Sequence, residues 1–440
     1  MKQYYGEQTE MALSNFPFPL PVVSLKFIYA IAEVKHAAAL ANNSAGDLDE
    51  NRLKAIVTAC EEIIAGKFDT QFVTPSIQGG AGTSINMNVN EVIANRANEL
   101  LELDGASERV HPNDHVNMSQ STNDVNPSGL RICSIRLLKN LLLELEKLSI
   151  TFKSRANENK DVHKLGRTHI QDAVPTTIGA EFTAYAAIID RDIKRLQETL
   201  PYLCELNIGG TAIGNGINAK KDYKDSVISE LASLTQIEVV PTANGMAGTS
   251  STGDFCHLMS LVHGTATNLS KIASDIRFMA SGPKGGIGEI TLEALQPGSS
   301  IMPGKVNPVA AESINQISYF IAGKNTTLHL ATENAHLELA VMFPVIAESI
   351  ISSIELLTAG VAIFNTKCIS TLTVNKEACT RHLEQSMAYA TLFTPHLGYE
   401  VVSNAVKQAV KEGKTLREIL VGTELVSEEE FNNYIHSYEN

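Results

Sequence analysis

Four stretches that are polar, glycine-rich or both lie between long apolar runs and hold the residue types needed for acid–base chemistry on an anionic substrate. The longest is Gly298-Ser299-Ser300-Ile301-Met302-Pro303-Gly304-Lys305-Val306-Asn307-Pro308. A serine on a glycine-flanked loop, beside a lysine and a helix start near Val309, is a candidate activated base. Lys305 and Asn307 are two positions apart, so an extended backbone would turn both the same way. Glu312 falls one turn into the helix that follows. Residues 166–175 place Thr168 and His169 ahead of another long helix. His169 alone could be a simple hydrogen-bonder, and it gains weight only where other polar loops converge on it. In residues 117–124 (NMSQSTND), all but Met118 offer a hydrogen-bonding side chain, and none is basic. Ser121, Thr122 and Asn123, with free N–H groups at a helix start, can hold an anion, and one helix cap would not need so many such residues. Residues 79–84 (GGAGTS) allow close backbone approach to a ligand, with Thr83 and Ser84 as donors, or form a turn capping a helix that starts near Asn90.

Other chemistries find no matching residues. The glycine-rich stretch 281–288 lacks the terminal Lys-Ser/Thr pair of a phosphate-binding loop and follows a helical pattern rather than a strand. There is no G-x-S-x-G elbow and no H-E-x-x-H zinc pair. The six cysteines never come closer than eleven positions, which gives no metal or redox spacing and suits reduced, mostly buried thiols.

Long helices must position these loops. Residues 255–280 put Leu258, Met259, Val262, Leu269, Ile272, Ala273, Ile276 and Met279 at three- and four-residue steps. Residues 175–200 behave similarly, with Pro175 suited to a first helical turn. Residues 309–336 and 341–364 carry so few charges that helices there should be buried on most sides. Such helices suggest a bundle whose core is shared between subunits, or one large helical domain with a generous core. The N-terminal part mixes helices with Gly- and Asn-rich loops, and the last ~60 residues look like a small helical cap.

With 44% hydrophobic and 19% charged residues, the 440-residue chain has ordinary globular composition. A formal charge of −14 argues against nucleic-acid and anionic-membrane partners. No signal-peptide pattern opens the sequence, and no apolar run reaches the ~18 residues of a transmembrane helix, so a cytoplasmic protein is expected.

The 298–308 stretch, GSSIMPGKVNP, closely resembles the signature loop of the aspartase/fumarase superfamily. The likeness runs through Tyr4-Tyr5-Gly6, residues 78–96, 117–124, 166–181, 209–214 and 397–400, nearly the whole chain. It implies a mostly α, three-domain fold, with boundaries expected at 1–119, 120–372 and 373–440. The central long helices would form a twenty-helix bundle in a homotetramer, each active site drawing loops from three subunits. By motif, Ser299 matches the family's catalytic base on a mobile lid, with Ser300 beside it. Thr83, Ser121, Thr122 and Asn123 match residues gripping the substrate carboxylates, and Lys305 and Asn307 match further carboxylate binders. Thr168 and His169 match a loop that another subunit supplies, and Glu312 matches the acid that pairs with the histidine.

The implied reaction is reversible elimination from a small dicarboxylate, without metal or cofactor. A proton leaves the carbon beside a carboxylate, giving a doubly charged aci-carboxylate that preorganised donors must stabilise, at roughly 3–4 kcal/mol per donor in known oxyanion sites. The 79–84, 121–123 and 171–175 stretches resemble members that release ammonia from L-aspartate. Loss of water from malate, a modified aspartate as substrate, and a catalytically silent structural role are the alternatives. Asn215, residues 244–255, Lys284, Ala340 and Phe343 depart from the family pattern.

Overall fold

The computed structural model describes residues 2–298 and 301–436. Helix dominates, and β-structure is confined to small two-stranded pairings. The chain divides into two compact units, each assembled from three separated segments.

The first unit comprises Met1–Leu143, Asp192–Ala266 and Ile317–Ala359. Its centre is the helix Leu25–Ser44, buried on nearly every side. Ala30, Ala37, Ala38 and Ala41 allow the helices Glu50–Ile64 and Lys221–Thr235 to pack closely against it. Two charged residues of this helix, Glu33 and Lys35, are buried. Glu33 takes two hydrogen bonds from Arg136, at 2.7 and 2.8 Å. The helix Thr83–Leu103 starts seven residues earlier than a start at Asn90 would give. Gly82, at φ +88°, turns the chain into it, so Asn86, Asn88 and Asn90 are buried helical residues rather than loop. Glu91 on the same helix accepts from the backbone N–H groups of Gly6, Gln8 and Thr9 and from the Thr9 hydroxyl. That carboxylate supplies the missing cap of the helix Glu7–Asn15.

The second unit comprises Glu144–Arg191, Thr267–Gln316 and Gly360–Asn440. Its C-terminal helices, from Lys376–Gln385 to Glu428–His436, close around Tyr389, Phe393 and Phe431. Leu165 joins this cluster from the antiparallel hairpin His163–Thr168 and Gln171–Thr177. The hairpin corrects the expectation that Pro175 opens a helix. Pro175 lies in the second strand opposite Leu165, and the helix runs Ile178–Gln197. A two-stranded ribbon has only edges, where a proline without an N–H is tolerated.

The other long helices are Thr122–Glu158, Gly253–Met279, Val309–Glu333 and Phe343–Phe364. Of these, Val309–Glu333 is less buried than its composition suggests: Tyr319, Phe320 and Leu330 are exposed in the single chain. Phe343–Ile369 is long and apolar enough to cross a membrane by length and composition, contrary to the run-length expectation, yet 56% of that window is buried inside the chain. All six cysteines are free, four of them buried.

Candidate active site

In the first unit, three consecutive residues, Gly80, Ala81 and Gly82, have left-handed backbone at φ +79°, +56° and +88°. At Gly82 a Cβ would lie 2.4 Å from the Asn126 amide nitrogen, which donates to the Gly82 carbonyl at 3.1 Å. The helix Thr83–Leu103 therefore starts fixed against the start of Thr122–Glu158. Thr83 is exposed, and its hydroxyl donates back to the Gly80 carbonyl at 2.7 Å.

Ser121, Thr122 and Asn123 form a half-buried polar shelf at the amino end of Thr122–Glu158. Asp124 beneath them is fully buried and accepts from the N–H groups of Ser121 (2.9 Å), Thr211 (2.9 Å) and Gly209 (3.2 Å). Burial nevertheless pushes its carboxyl up to about 6. Asn123 donates to the Ala212 carbonyl at 2.7 Å, which ties the shelf to the 209–216 loop. Behind Thr122 lies a buried amide network. The Asn117 side-chain oxygen accepts from Lys35 (2.7 Å), Asn86 (3.1 Å) and Asn90 (3.3 Å), and the Asn86 amide also reaches the Thr122 hydroxyl at 3.2 Å. Sequence reasoning missed Lys35, and it placed Asn86 and Asn117 in or beside candidate stretches without giving either a role. A lysine within an alanine-rich apolar helix was the one available signal.

A small concavity beside the shelf is lined by Ala81, Thr122 and Asn123 and floored by Phe255, Ala340 and Phe343. Ala340, Phe343 and part of the 244–255 stretch, all of which depart from the family pattern, thus share a wall with two predicted site residues. Phe343 also packs against Phe27 and Phe255. Asn215 holds a local turn by accepting from the Ile217 N–H, Asn244 caps the short helix Gly245–Ser250, and Lys284 is exposed.

The remaining candidates belong to the second unit. Thr168 pairs with Gln171, leaving His169 and Ile170 as a two-residue hairpin turn at φ +55° and +61°. Such turns favour Asn and Gly, so a β-branched isoleucine here is strained. His169 projects at an exposed tip. The hairpin's base is fixed by charge. Glu289 is fully buried and paired with Lys164 (3.0 Å), Arg167 (2.8 Å) and His382 (3.3 Å). Lys164 also meets Glu181 at 2.9 Å. Burial would raise the Glu289 carboxyl, but Lys164 and Arg167 outweigh it and hold the group below the ordinary carboxylate range. Nothing in the sequence joined these residues, since Lys164 and Glu289 are 125 positions apart.

Ser299 and Ser300 lie outside the described residues. The flanks of their loop are joined: Asn307 donates to the Gly298 carbonyl at 2.8 Å, and a Cβ on Gly298 would lie 1.8 Å from the Lys305 carbonyl oxygen. Residues 305–308 are not a strand; Lys305 is exposed while Asn307 is committed to the loop's neck. Glu312 is half-buried, and among the described residues no ion pair joins it to His169 within one chain. Among the described residues, no group of three or more His, Cys, Asp or Glu is placed to hold a metal ion.

A polar shelf at a helix start and an exposed histidine tip stand on a helical frame, and the likeness to known proteins marks an enzyme of the lyase class. The sequence matches the lyase family over residues 1–323 and the fumarase C C-terminus family over residues 390–438. It is 43% identical over 437 residues to the aspartate ammonia-lyase of Bacillus subtilis, covering 99% of this chain and 92% of that relative. It is 40% identical over 435 residues to the class II fumarate hydratase of Campylobacter jejuni, covering 98% and 94%. A crystal structure of a fumarate lyase:delta crystallin from Brucella melitensis bound to cobalt superposes with a TM-score of 0.93 at 41% identity, covering 99% of this chain and 95% of that one. The chain belongs to the aspartase/fumarase superfamily.

Proposed function

We propose that this protein is an ammonia-lyase that converts L-aspartate reversibly to fumarate and ammonia. The observation that carries the reading is the shelf: Ser121, Thr122 and Asn123 stand at the amino end of a 37-residue helix, backed by a buried donor network. Helix starts and clustered donors favour an anion. On this reading Thr83, Ser121, Thr122 and Asn123 hold one carboxylate of the substrate, while Ser300, Lys305 and Asn307 complete the cage from the loop. Ser299 takes the Cβ proton, and the donors stabilise the aci-carboxylate it leaves behind. Thr168 and His169 close the site, with Glu312 orienting the histidine. The ammonium departs already protonated and needs no acid, so every step uses groups of the chain alone, with no cofactor and no metal.

His169 and Glu312 do not meet within one chain, and the Tyr319, Phe320 and Leu330 face is apolar and exposed. Both features suit a cytoplasmic homotetramer whose sites draw on three subunits, with a domain division at 1–119, 120–372 and 373–440. Aspartase rather than fumarase is favoured by the GGAGTS and Ser121-Thr122-Asn123 sequences. The second reading, malate dehydration, draws support from the fumarate hydratase relatives. Fumarate formation followed by ultraviolet absorbance, from L-aspartate and L-malate side by side, decides between them. Aspartate should be turned over far faster. Equal or faster malate turnover would replace the assignment, and activity on neither would direct attention to a modified aspartate seated against Ala340 and Phe343.

A further inference from the structure

We propose that Lys35, buried behind the shelf, is a positioning residue for the dicarboxylate site: through Asn117 and Asn86 it helps oblige the Thr122 hydroxyl to direct its proton toward the bound anion. The inference rests on the reading of Thr122 as a carboxylate contact.

The case is one of donor and acceptor bookkeeping along a buried line. An ammonium group can only donate. Lys35 lies 2.7 Å from the Asn117 side chain, so Asn117 must present its oxygen there. Asn86 lies 3.1 Å from that same oxygen and must present its NH2 group. The same NH2 group reaches the Thr122 hydroxyl oxygen at 3.2 Å, so Thr122 accepts from inside the protein. Its own proton is then left for the outer side, where Thr122 lines the concavity with Ala81 and Asn123. The other end of the Asn117 amide donates to the Gln120 carbonyl at 3.2 Å. This braces the turn through Ser119, whose backbone is left-handed at φ +60°. One buried charge and one backbone carbonyl, which can only accept, therefore set the polarity of a three-residue relay together.

Lys35 is fully buried, and among the described residues no carboxylate pairs with it directly; its hydrogen bond goes to the Asn117 amide. Such a lysine costs stability, and hydrophobic burial would fill the same space more favourably. Three groups line its surroundings. Asp124 faces it from the helix Thr122–Glu158, and Cys60 faces it from Glu50–Ile64. Tyr223, from Lys221–Thr235, faces Asp124. Burial raises the Cys60 thiol and the Tyr223 hydroxyl, so both stay neutral. Burial lowers Lys35 to about 7, against the opposing pull of Asp124. The ammonium is present below that value and lost above it. A neutral amine can also accept, and the relay is then held only by the weaker, uncharged bond from Asn117 to the Gln120 carbonyl.

The probe is succinate, a dicarboxylate with no leaving group, bound to the assembled full-length protein and measured by calorimetry. Loss of one charge-directed hydrogen bond should weaken succinate binding by about tenfold in Lys35→Met. Wild-type affinity should fall as pH is raised through about 7, and Lys35→Met should lose that step. Asp124 loses the pull of Lys35 in this variant and titrates higher, so Asp124→Asn is measured beside it to identify that carboxyl's own contribution. Asn86→Asp, which can only accept, should turn the Thr122 proton inward and bind succinate more weakly than Asn86→Ala. That pair settles the matter even if Lys35→Met fails to fold. Asn86→Ala binding as weakly as Asn86→Asp, or more weakly, overturns the relay. So does a flat wild-type profile, or a pH dependence that Lys35→Met retains. Thr122→Val separates the two levels: unchanged succinate affinity there removes Thr122 from the site, whereas weakened affinity with normal Lys35→Met binding removes only the relay.

Discussion

The shelf of the first unit and the hairpin tip of the second are stabilised in opposite ways. Ser121, Thr122 and Asn123 rest on Asp124, Asn86, Asn117 and Lys35, all but Asn117 of them buried and each held by hydrogen bonds, although the side-chain oxygens of Asn86 and Asn90 find no partner among the described residues. His169 and Ile170 stand exposed on a two-residue turn in left-handed backbone, with Ile170 69% accessible. The supports of the tip lie at its base, in the Glu289 cluster and Leu165. A group that must match a carboxylate in every catalytic cycle gains from being fixed before substrate arrives. A group that meets its partners only in an assembled site can be left exposed in the single chain. On the proposed function, the two regions would divide preorganised binding from supplied closure.

The largest expected effect falls on the loop that neither region contains. Ser299→Ala should lower kcat and kcat/KM together by about 10³-fold or more, with folding and assembly unchanged, because proton abstraction is used only in the transition state. A loss confined to KM would make Ser299 a binding residue.

His169→Ala should cost about 10²-fold by itself. Co-refolding it with Ser299→Ala should restore part of the activity, because some mixed sites would take Ser299 from one chain and His169 from another. Mixed tetramers that stay as inactive as their parents would place both loops on one chain, and an active monomer on size exclusion would end the shared-site reading.

Glu289→Gln tests whether the tip depends on its base. Removing this carboxylate leaves Lys164 buried beside Glu181 alone and should destabilise the protein by about 3 kcal/mol. Because the folded Glu289 carboxyl sits below its ordinary range, its contribution is present above the unfolded value of roughly 4.3 and fades as pH falls through the folded one. Thermal unfolding scans at decreasing pH should show that loss in the wild type and less of it in Glu289→Gln. Parallel curves would mean the cluster is electrostatically neutral to stability.

The smallest effect is expected at the turn itself. Ile170→Gly relieves a left-handed β-branched residue and should stabilise the fold by about 1 kcal/mol. A calorimetric midpoint that drops instead would show that the Ile170 side chain has a packing partner in the assembly.

The candidate stretches were legible because they are polar or glycine-rich among apolar helices: residues 79–84, 117–124 and 298–308 each stood out by composition. The long helices followed from their period, with Gly253–Met279 close to the pattern of residues 255–280. The hairpin was hidden because Pro175 and the threonines beside it fit either a helix start or a ribbon edge, and only the pairing across His169 decides. Lys35 and Glu289 were hidden for another reason. Their roles come from partners 82 and 125 residues away, Asn117 and Lys164, and no local pattern encodes such a distance.

The Glu91 clamp bears on how the protein ages. Four donors of residues 6–9 converge on that one carboxylate, while Tyr4 is held by Gln71 and Glu99. An exopeptidase trimming past Thr9 would remove more than a frayed end, because it would strand a carboxylate that is 6% exposed. An orphaned buried charge is among the larger single penalties a fold can incur. Nicking at the amino end should therefore be converted into loss of the whole domain and rapid clearance, so that clipped copies would not persist alongside intact ones in shared assemblies.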